Sequence, residues 1–316
     1  MNNTAKIQFT ELENSAKSAI QTLLYFDIFS YPLRAEEILN FQCNSDSDVN
    51  ETSRILEHLV EEEFIFKLGE YYSLNNETAL LERRLKGNEK ADAMMKKAKW
   101  VSAFIGNFPF VRCVCISGSL SKGYFDAASD IDYFIITEPN RLWIARTFLV
   151  AFKKIFLLNS KKYFCTNYFI DTAHLEIEDK NIFTATEIFT LMPMNNTELF
   201  EKFMSSNSWA KDFLPNYGKK ITVKKREPNS FIKKIFEKLL SGKFGEWLDT
   251  YFLRITLKLW HKDFPYYNPD VFELTMRSRK YVSKHHPQNM QTVILQKFEE
   301  RIKSFEIKFN VSLQYV

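Results

Sequence analysis

The stretch SGSLSKGYFDAASDIDYFIIT, residues 117–137, gathers the side chains of this chain best suited to chemistry. Asp130 and Asp132 stand one residue apart at the mouth of an apolar, β-branched run. In a strand, residues two apart share a face, so their alpha carbons lie roughly 6 to 7 Å apart and both carboxylates aim at one point. Two like charges 4 Å apart repel by about 4 kcal/mol at an effective dielectric of about 20, which a cation between them offsets. Hard divalent ions take such oxygen ligands, magnesium above all, because it keeps several waters and bridges substrate phosphates. Taken alone, Asp-x-Asp reads equally well as two solvated strand-end aspartates.

Gly118 and Ser119 shift that balance. They sit where one strand ends and a short helix begins, a place where free backbone N–H groups attract an anion and glycine lets it approach the main chain. The Ser119 hydroxyl adds a donor, and Lys122 stands beside this cradle, as a phosphate contact or a solvated lysine. The segment between Ser119 and Asp130 is long enough for one short helix and a return turn. Cradle and carboxylates therefore end on neighbouring strands, a geometry suited to a nucleoside triphosphate with Mg²⁺. A P-loop is excluded, because Gly118 and Gly123 are followed by Tyr124 and Phe125 rather than by the Lys and Ser/Thr that grip phosphate and metal.

The elements that must position these residues follow from periodicity. Before the site, ALLERRLKGNEKADAMMKKAKWVSAFIGNF reads as a long basic helix, interrupted at Gly87, and FVRCVCIS as a strand. After it come a strand from Ile131 to Thr137, the helix NRLWIARTFLVAFKKIFLL, the strand YFCTNYFID and a further short strand at HLEI. Strands alternating with helices indicate an α/β core. Upstream, helices near Ser15–Tyr31, RAEEILNF and VNETSRILEHLVEEEF precede a hairpin, FIFKLGEYYSL, turning at Gly69: the layout of a winged helix. Between Asp48 and Glu63 six acids face one base, Arg54, so this module lacks the positive charge that brings proteins to duplex DNA, and a structural or protein-contact role is expected instead. Downstream the chain turns helical and aromatic. The expected division is 1–80 for the winged-helix-like module, 81–195 for the core and 196–316 for a C-terminal helical region. That region carries a basic loop at 218–234, either a solvated linker or a surface for phosphate-rich ligands.

With 45% apolar residues in 316 the chain is expected to bury more than one core. No run of about 18 apolar residues occurs and MNNTAKIQF has no signal-peptide layout, so a cytoplasmic protein without a membrane span is expected. Cys43, Cys113, Cys115 and Cys165 read as buried reduced thiols, and the five histidines lack the spacing of a zinc site. The net charge of +4 is too small to imply nucleic acid.

GSLSKGYFDAASDIDYFIIT resembles the Gly-Ser, then Asp-x-Asp, signature of the nucleotidyltransferase superfamily that contains DNA polymerase beta and the kanamycin nucleotidyltransferases. FPFVRCVCISGSLSKG, RLWIAR, FCTNYFI and TATEIFTLMPM are similar to an uncharacterised bacterial group within it, over about half the chain. The resemblance implies an α+β fold with a polymerase-beta-like mixed sheet. It also implies phosphate contacts from Gly118 and Ser119 and two Mg²⁺ held by Asp130 and Asp132. Attack of an acceptor hydroxyl on the α-phosphorus of a nucleoside triphosphate, with release of pyrophosphate, is the implied reaction. Catalytic members carry a third carboxylate on an adjacent strand. Here the residue best placed by spacing is Asn167, a neutral amide; Asp171, of the same parity, and Glu176 are the other candidates. Magnesium-dependent transfer to an unknown hydroxyl acceptor is thus the leading expectation, a catalytically degenerate nucleotide-binding or scaffolding protein the second, and a DNA-binding regulator the third. Arg141 and Arg146 read as structural ion-pairing residues or triphosphate contacts. Trp143 and Trp209 read as core, His174 as a loop residue, and Ser283-Lys284-His285 as the lead-in to a helix.

Overall fold

The computed structural model describes residues 13–43, 48–218 and 230–314. Most of the basic loop expected at 218–234 therefore lies outside the described residues. The described residues open with three helices, α1 (Asn14–Asp27), α2 (Ala35–Phe41) and α3 (Val49–Glu61), and a hairpin of β1 (Phe66–Leu68) and β2 (Tyr71–Ser73). Asp48 caps α3 by accepting from the Glu51 N–H at 2.8 Å. Gly69, at φ +66°, supplies the left-handed turn that lets Leu68 pair with Tyr71. The apolar stripe Ala19, Ile20 and Leu23 packs on Ile38, Leu56 and Leu59.

The rest of the chain builds on one sheet. Its elements are α4 (Thr78–Gly106), β3 (Val111–Ser117), α5 (Gly118–Ser121), β4 (Asp132–Thr137), α6 (Leu142–Phe156), β5 (Cys165–Asp171), α7 (Ile182–Thr190), β6 (Met192–Pro193), α8 (Thr197–Ser206), α9 (Phe231–Leu239), α10 (Lys243–Asp263), α11 (Pro269–Met276), β7 (Ser278–Arg279), β8 (Val282–Lys284) and α12 (Met290–Phe309), with a 3₁₀ turn at Ser208–Asp212. Strand order is β6-β3-β4-β5-β8-β7. The pairing of β4 with β5 is parallel, made by the α6 crossover, and the other pairings are antiparallel, so the fold is α+β with a mixed sheet. Alternation along the strands sorts the core into two layers. Val114, Ile116, Tyr133, Ile135 and Phe169 join α4 and α6 on one face, while Cys113, Cys115, Phe134, Ile136 and Ile170 join α7 and α8 on the other.

Several expectations change. The long helix α4 runs unbroken through Gly87, because this glycine makes room for a ring rather than a break: a β-carbon there would meet the Tyr124 ring at 2.1 Å. No strand forms at HLEI; Ile177 instead donates its N–H to Asn207 Oδ1. Ser283 and Lys284, read with His285 as the lead-in to a helix, instead form β8 with Val282 and extend the sheet beyond β5. The expected C-terminal helical region thus contributes two strands to the core sheet. It also completes the N-terminal core, where Ile294, Phe305 and Leu313 pack against α1 and its neighbours. Lys17 and Gln21 donate to the carbonyls of Gln314 and Leu313 at 3.1 and 2.8 Å, and Phe64 packs its ring against Phe305 and Phe309. Among the described residues no helix is long and apolar enough to cross a membrane.

Candidate active site

β3 delivers Ser117 directly opposite Asp132, and the chain then turns at Gly118, φ +67°. A β-carbon on Gly118 would sit 2.4 Å from Asp132 Oδ2, so the turn and the carboxylate can share this place only if residue 118 is glycine. α5 is a single turn, closed by Ser121 Oγ donating to the Gly118 carbonyl at 2.9 Å. So short a helix adds little dipole; what faces the cavity at this turn is Gly118, whose carbonyl is already bonded, and Ser119.

Asp130 precedes β4. Ile131 donates to the Lys162 carbonyl at 3.0 Å and accepts from the Cys165 N–H at 3.1 Å, which continues the ladder and keeps this segment extended. Asp130 and Asp132 accordingly line the same cavity. Burial pushes the Asp132 carboxyl above its ordinary range, opposed by hydrogen bonds from Asn167 and Cys165 and reinforced by the charges of Glu187 and Asp130.

Asn167 donates Nδ2 to Asp132 Oδ1 at 3.1 Å, and the Cys165 thiol donates to Asn167 Oδ1 at 3.3 Å. A shift in register produces this contact. Thr166 pairs with Tyr133 and Tyr168 with Phe134, which leaves Asn167 as the extra residue of a bulge. Burial, with the charges of Asp132 and Asp130, raises the Cys165 thiol to about 12, so it is a neutral donor.

The structure does not bring Asp171 to this group. It lies at the far end of β5 opposite Thr137, buried and bonded to His174 Nδ1 at 2.8 Å, because strand β5 carries it away from Asp132. Glu176 pairs with Lys180 on the surface. Lys122 is bonded at 2.7 Å to Glu187 and at 3.1 Å to the Gly118 carbonyl, so it braces the cradle. Glu187, from α7, is the acid the sequence reading missed: it lines the cavity and its charge acts on Asp132. Cys165 was missed as well. Cys43 is exposed rather than buried, and all four cysteines are free.

Among the described residues no group of three His, Cys, Asp or Glu side chains is arranged to hold a metal. Two carboxylates backed by an amide do fit magnesium, which is commonly held by one or two carboxylates together with substrate phosphates. Crowding of like charge around the half-buried Asp132 is the condition a cation relieves.

The cavity has a volume of about 1470 Å³ and runs from the cradle to α1, α6, α10 and β8. Arg141 is not part of it: its guanidinium donates to the carbonyls of Leu240, Ser241 and Gly242 and ties down the end of α9. Trp143 is fully buried in the core. Arg146 does line the cavity. Comparison of the chain with protein-family models, with curated proteins and with solved structures finds no match.

Proposed function

We propose that this protein is a magnesium-dependent nucleotidyltransferase, moving a nucleoside monophosphate from a nucleoside triphosphate to a hydroxyl acceptor. The observation that carries the reading is the packing of Asp132 against Gly118, with Asp130 on the same cavity wall. It joins the two halves of the family-like motif, a main-chain cradle and a carboxylate pair, in one place.

Gly118 and Ser119 would hold the β and γ phosphates through main-chain N–H and hydroxyl donors, with Glu187 neutralising Lys122 as it braces the turn. Asp130 and Asp132 would hold Mg²⁺, which supplies positive charge to the triphosphate and to the entering oxygen. Asn167 fixes the Asp132 carboxylate through Oδ1 and leaves Oδ2, the oxygen next to Gly118, directed at the cradle. The acceptor oxygen then attacks the α-phosphorus in line and pyrophosphate departs.

A second reading, nucleotide binding without transfer, is favoured by one observation: the amide of Asn167 stands beside Asp132 where a third carboxylate would complete the metal site. The three helices and hairpin at the N-terminus fit a winged-helix-like unit, whose acidic third helix supports a structural or protein-contact role.

Isothermal titration with each nucleoside triphosphate, with and without Mg²⁺, tests both readings. Metal-dependent binding that disappears in Asp130→Ala/Asp132→Ala supports a nucleotide site, and its absence with all four nucleotides removes it. Pyrophosphate release on addition of small-molecule extract separates transfer from binding alone.

A further inference from the structure

The same cavity carries a second set of charges to which the transfer reading assigns no role. Arg146 and Lys153 from α6 line it together with Lys161, on the loop before β5, and with His285, just after β8. The buried arginines each have a partner: Arg84 is paired with Glu37, Arg141 donates to main-chain carbonyls and Arg277 is paired with Asp179. Arg146 has no hydrogen bond or ion pair to any of the described residues. Its guanidinium lies over the rings of Trp260 and Trp143, 4.7 and 5.5 Å from their centroids, which holds it in place without neutralising it. Lys153 and Lys161 have no acidic partner among the described residues either.

These cations line one cavity. Burial pushes Arg146 down to about 10, and burial with repulsion from Lys161, Arg146 and Lys154 lowers Lys153. His285, held down to about 3 by burial and by the charges of Arg146, Lys161, His286 and Lys153, is neutral and adds no repulsion. Lys153, Cys165 and Asp132 line the same cavity, so the cluster and the carboxylate site open into one space. An unpaired guanidinium, half-buried as Arg146 is, is costly unless an anion meets it. The cavity also exceeds the roughly 300–1,000 Å³ typical of a site for one small ligand.

We propose that Arg146, Lys153 and Lys161 bind the phosphate of a small phosphomonoester acceptor, so that a hydroxyl of the same molecule reaches the α-phosphorus beside Asp130 and Asp132. This inference rests on the nucleotidyl-transfer reading. In the step, the acceptor oxygen forms a bond to the α-phosphorus, the bond from that phosphorus to the pyrophosphate oxygen breaks, and the hydroxyl proton leaves to solvent. The position of Arg146 against two indoles inside a cavity favours a small anion over a polynucleotide, whose phosphates call for an exposed basic stripe.

Glycerol 3-phosphate, glycerol and a short single-stranded RNA serve as probes in titrations of the full chain. Glycerol 3-phosphate should bind and glycerol should not, and Arg146→Gln should weaken that binding at least tenfold while Mg²⁺-dependent nucleotide affinity changes less than twofold. Asp130→Asn/Asp132→Asn should show the reverse pattern. Arg146→Lys and Lys153→Gln, which keep the fold's volume, should give intermediate losses if Arg146→Gln does not fold. Phosphorylated polyols should stimulate pyrophosphate release where their dephosphorylated forms do not. Loss of nucleotide binding in Arg146→Gln overturns the proposal, placing Arg146 with the triphosphate. Tighter RNA binding that depends on Arg146 also overturns it. Probe binding without any nucleotide binding leaves the anion site standing and removes the transfer reading.

Discussion

The side-chain amide of Asn167 donates Nδ2 to Asp132 Oδ1 at 3.1 Å. Replacing it by Asp swaps a donor for a like charge. Without Mg²⁺, Asn167→Asp should lower stability by about 1–3 kcal/mol, because a satisfied carboxylate then faces a repulsive one. With Mg²⁺ the loss should reverse. Thermal unfolding with and without the ion reads both; equal stability in the two conditions would show that the carboxylates do not gather a cation.

Gly118 and Gly69 adopt nearly the same backbone, φ +67° and +66°, yet only Gly118 abuts a functional group. Each Gly→Ala change carries the left-handed strain, more than about 1 kcal/mol. Gly118→Ala should in addition displace the Asp132 carboxylate. Titration should therefore find nucleotide binding lost in Gly118→Ala and retained in Gly69→Ala at matched denaturation midpoints.

Asp179 is bonded to Arg277 at 2.9 Å and to Lys284 at 2.8 Å, with all three side chains at most 10% exposed. Asp179→Ala takes from buried Lys284 its bonded carboxylate, while Arg277 keeps Glu273 at 2.9 Å and Glu178 at 3.7 Å, and should cost about 3 kcal/mol. Urea unfolding measures it. A loss below 1 kcal/mol would mean that water already reaches this group.

Acid should destabilise the protein through His285 and His286, held down to about 3 and about 4 mainly by burial. Unfolding returns both rings to the ordinary value of 6.5, so between there and pH 4 the unfolded chain binds more protons and stability falls as pH falls. Asp249 acts the other way: burial raises it to about 6, the native state keeps its proton longer, and stability rises as pH falls from 6 towards 3.8. A His285→Gln/His286→Gln variant isolates the histidine contribution. Its urea midpoint should vary less with pH from 6.5 to 4 than that of the parent chain, and an unchanged profile would mean that the rings are not held neutral.

What the sequence disclosed about the site is what short-range geometry dictates. Asp130 and Asp132 line one cavity because the segment through Ile131 is extended, and Gly118 is required by a turn whose φ only glycine takes easily. Glu187 and the bulge at Asn167 were not legible. One depends on how α7 docks across the sheet, the other on a register slip between Tyr133 paired with Thr166 and Phe134 paired with Tyr168, partners far apart in sequence. The same holds for β8: SKHH carries no strand signature, and pairing with β5 is what makes it one. Asp171 misled because parity along a strand is preserved at any distance, whereas a site has finite reach.

The N-terminal core takes its final wall from α12 and the residues just after it, and Lys17 meets the Gln314 carbonyl across 297 positions of sequence. At roughly 5–20 residues per second, α1 waits about 15 to 60 s during synthesis before its covering partner exists. A helix made early is thus among the last to be sheltered, and for that interval its bare Leu23, Leu24 and Phe26 are a target for chaperones.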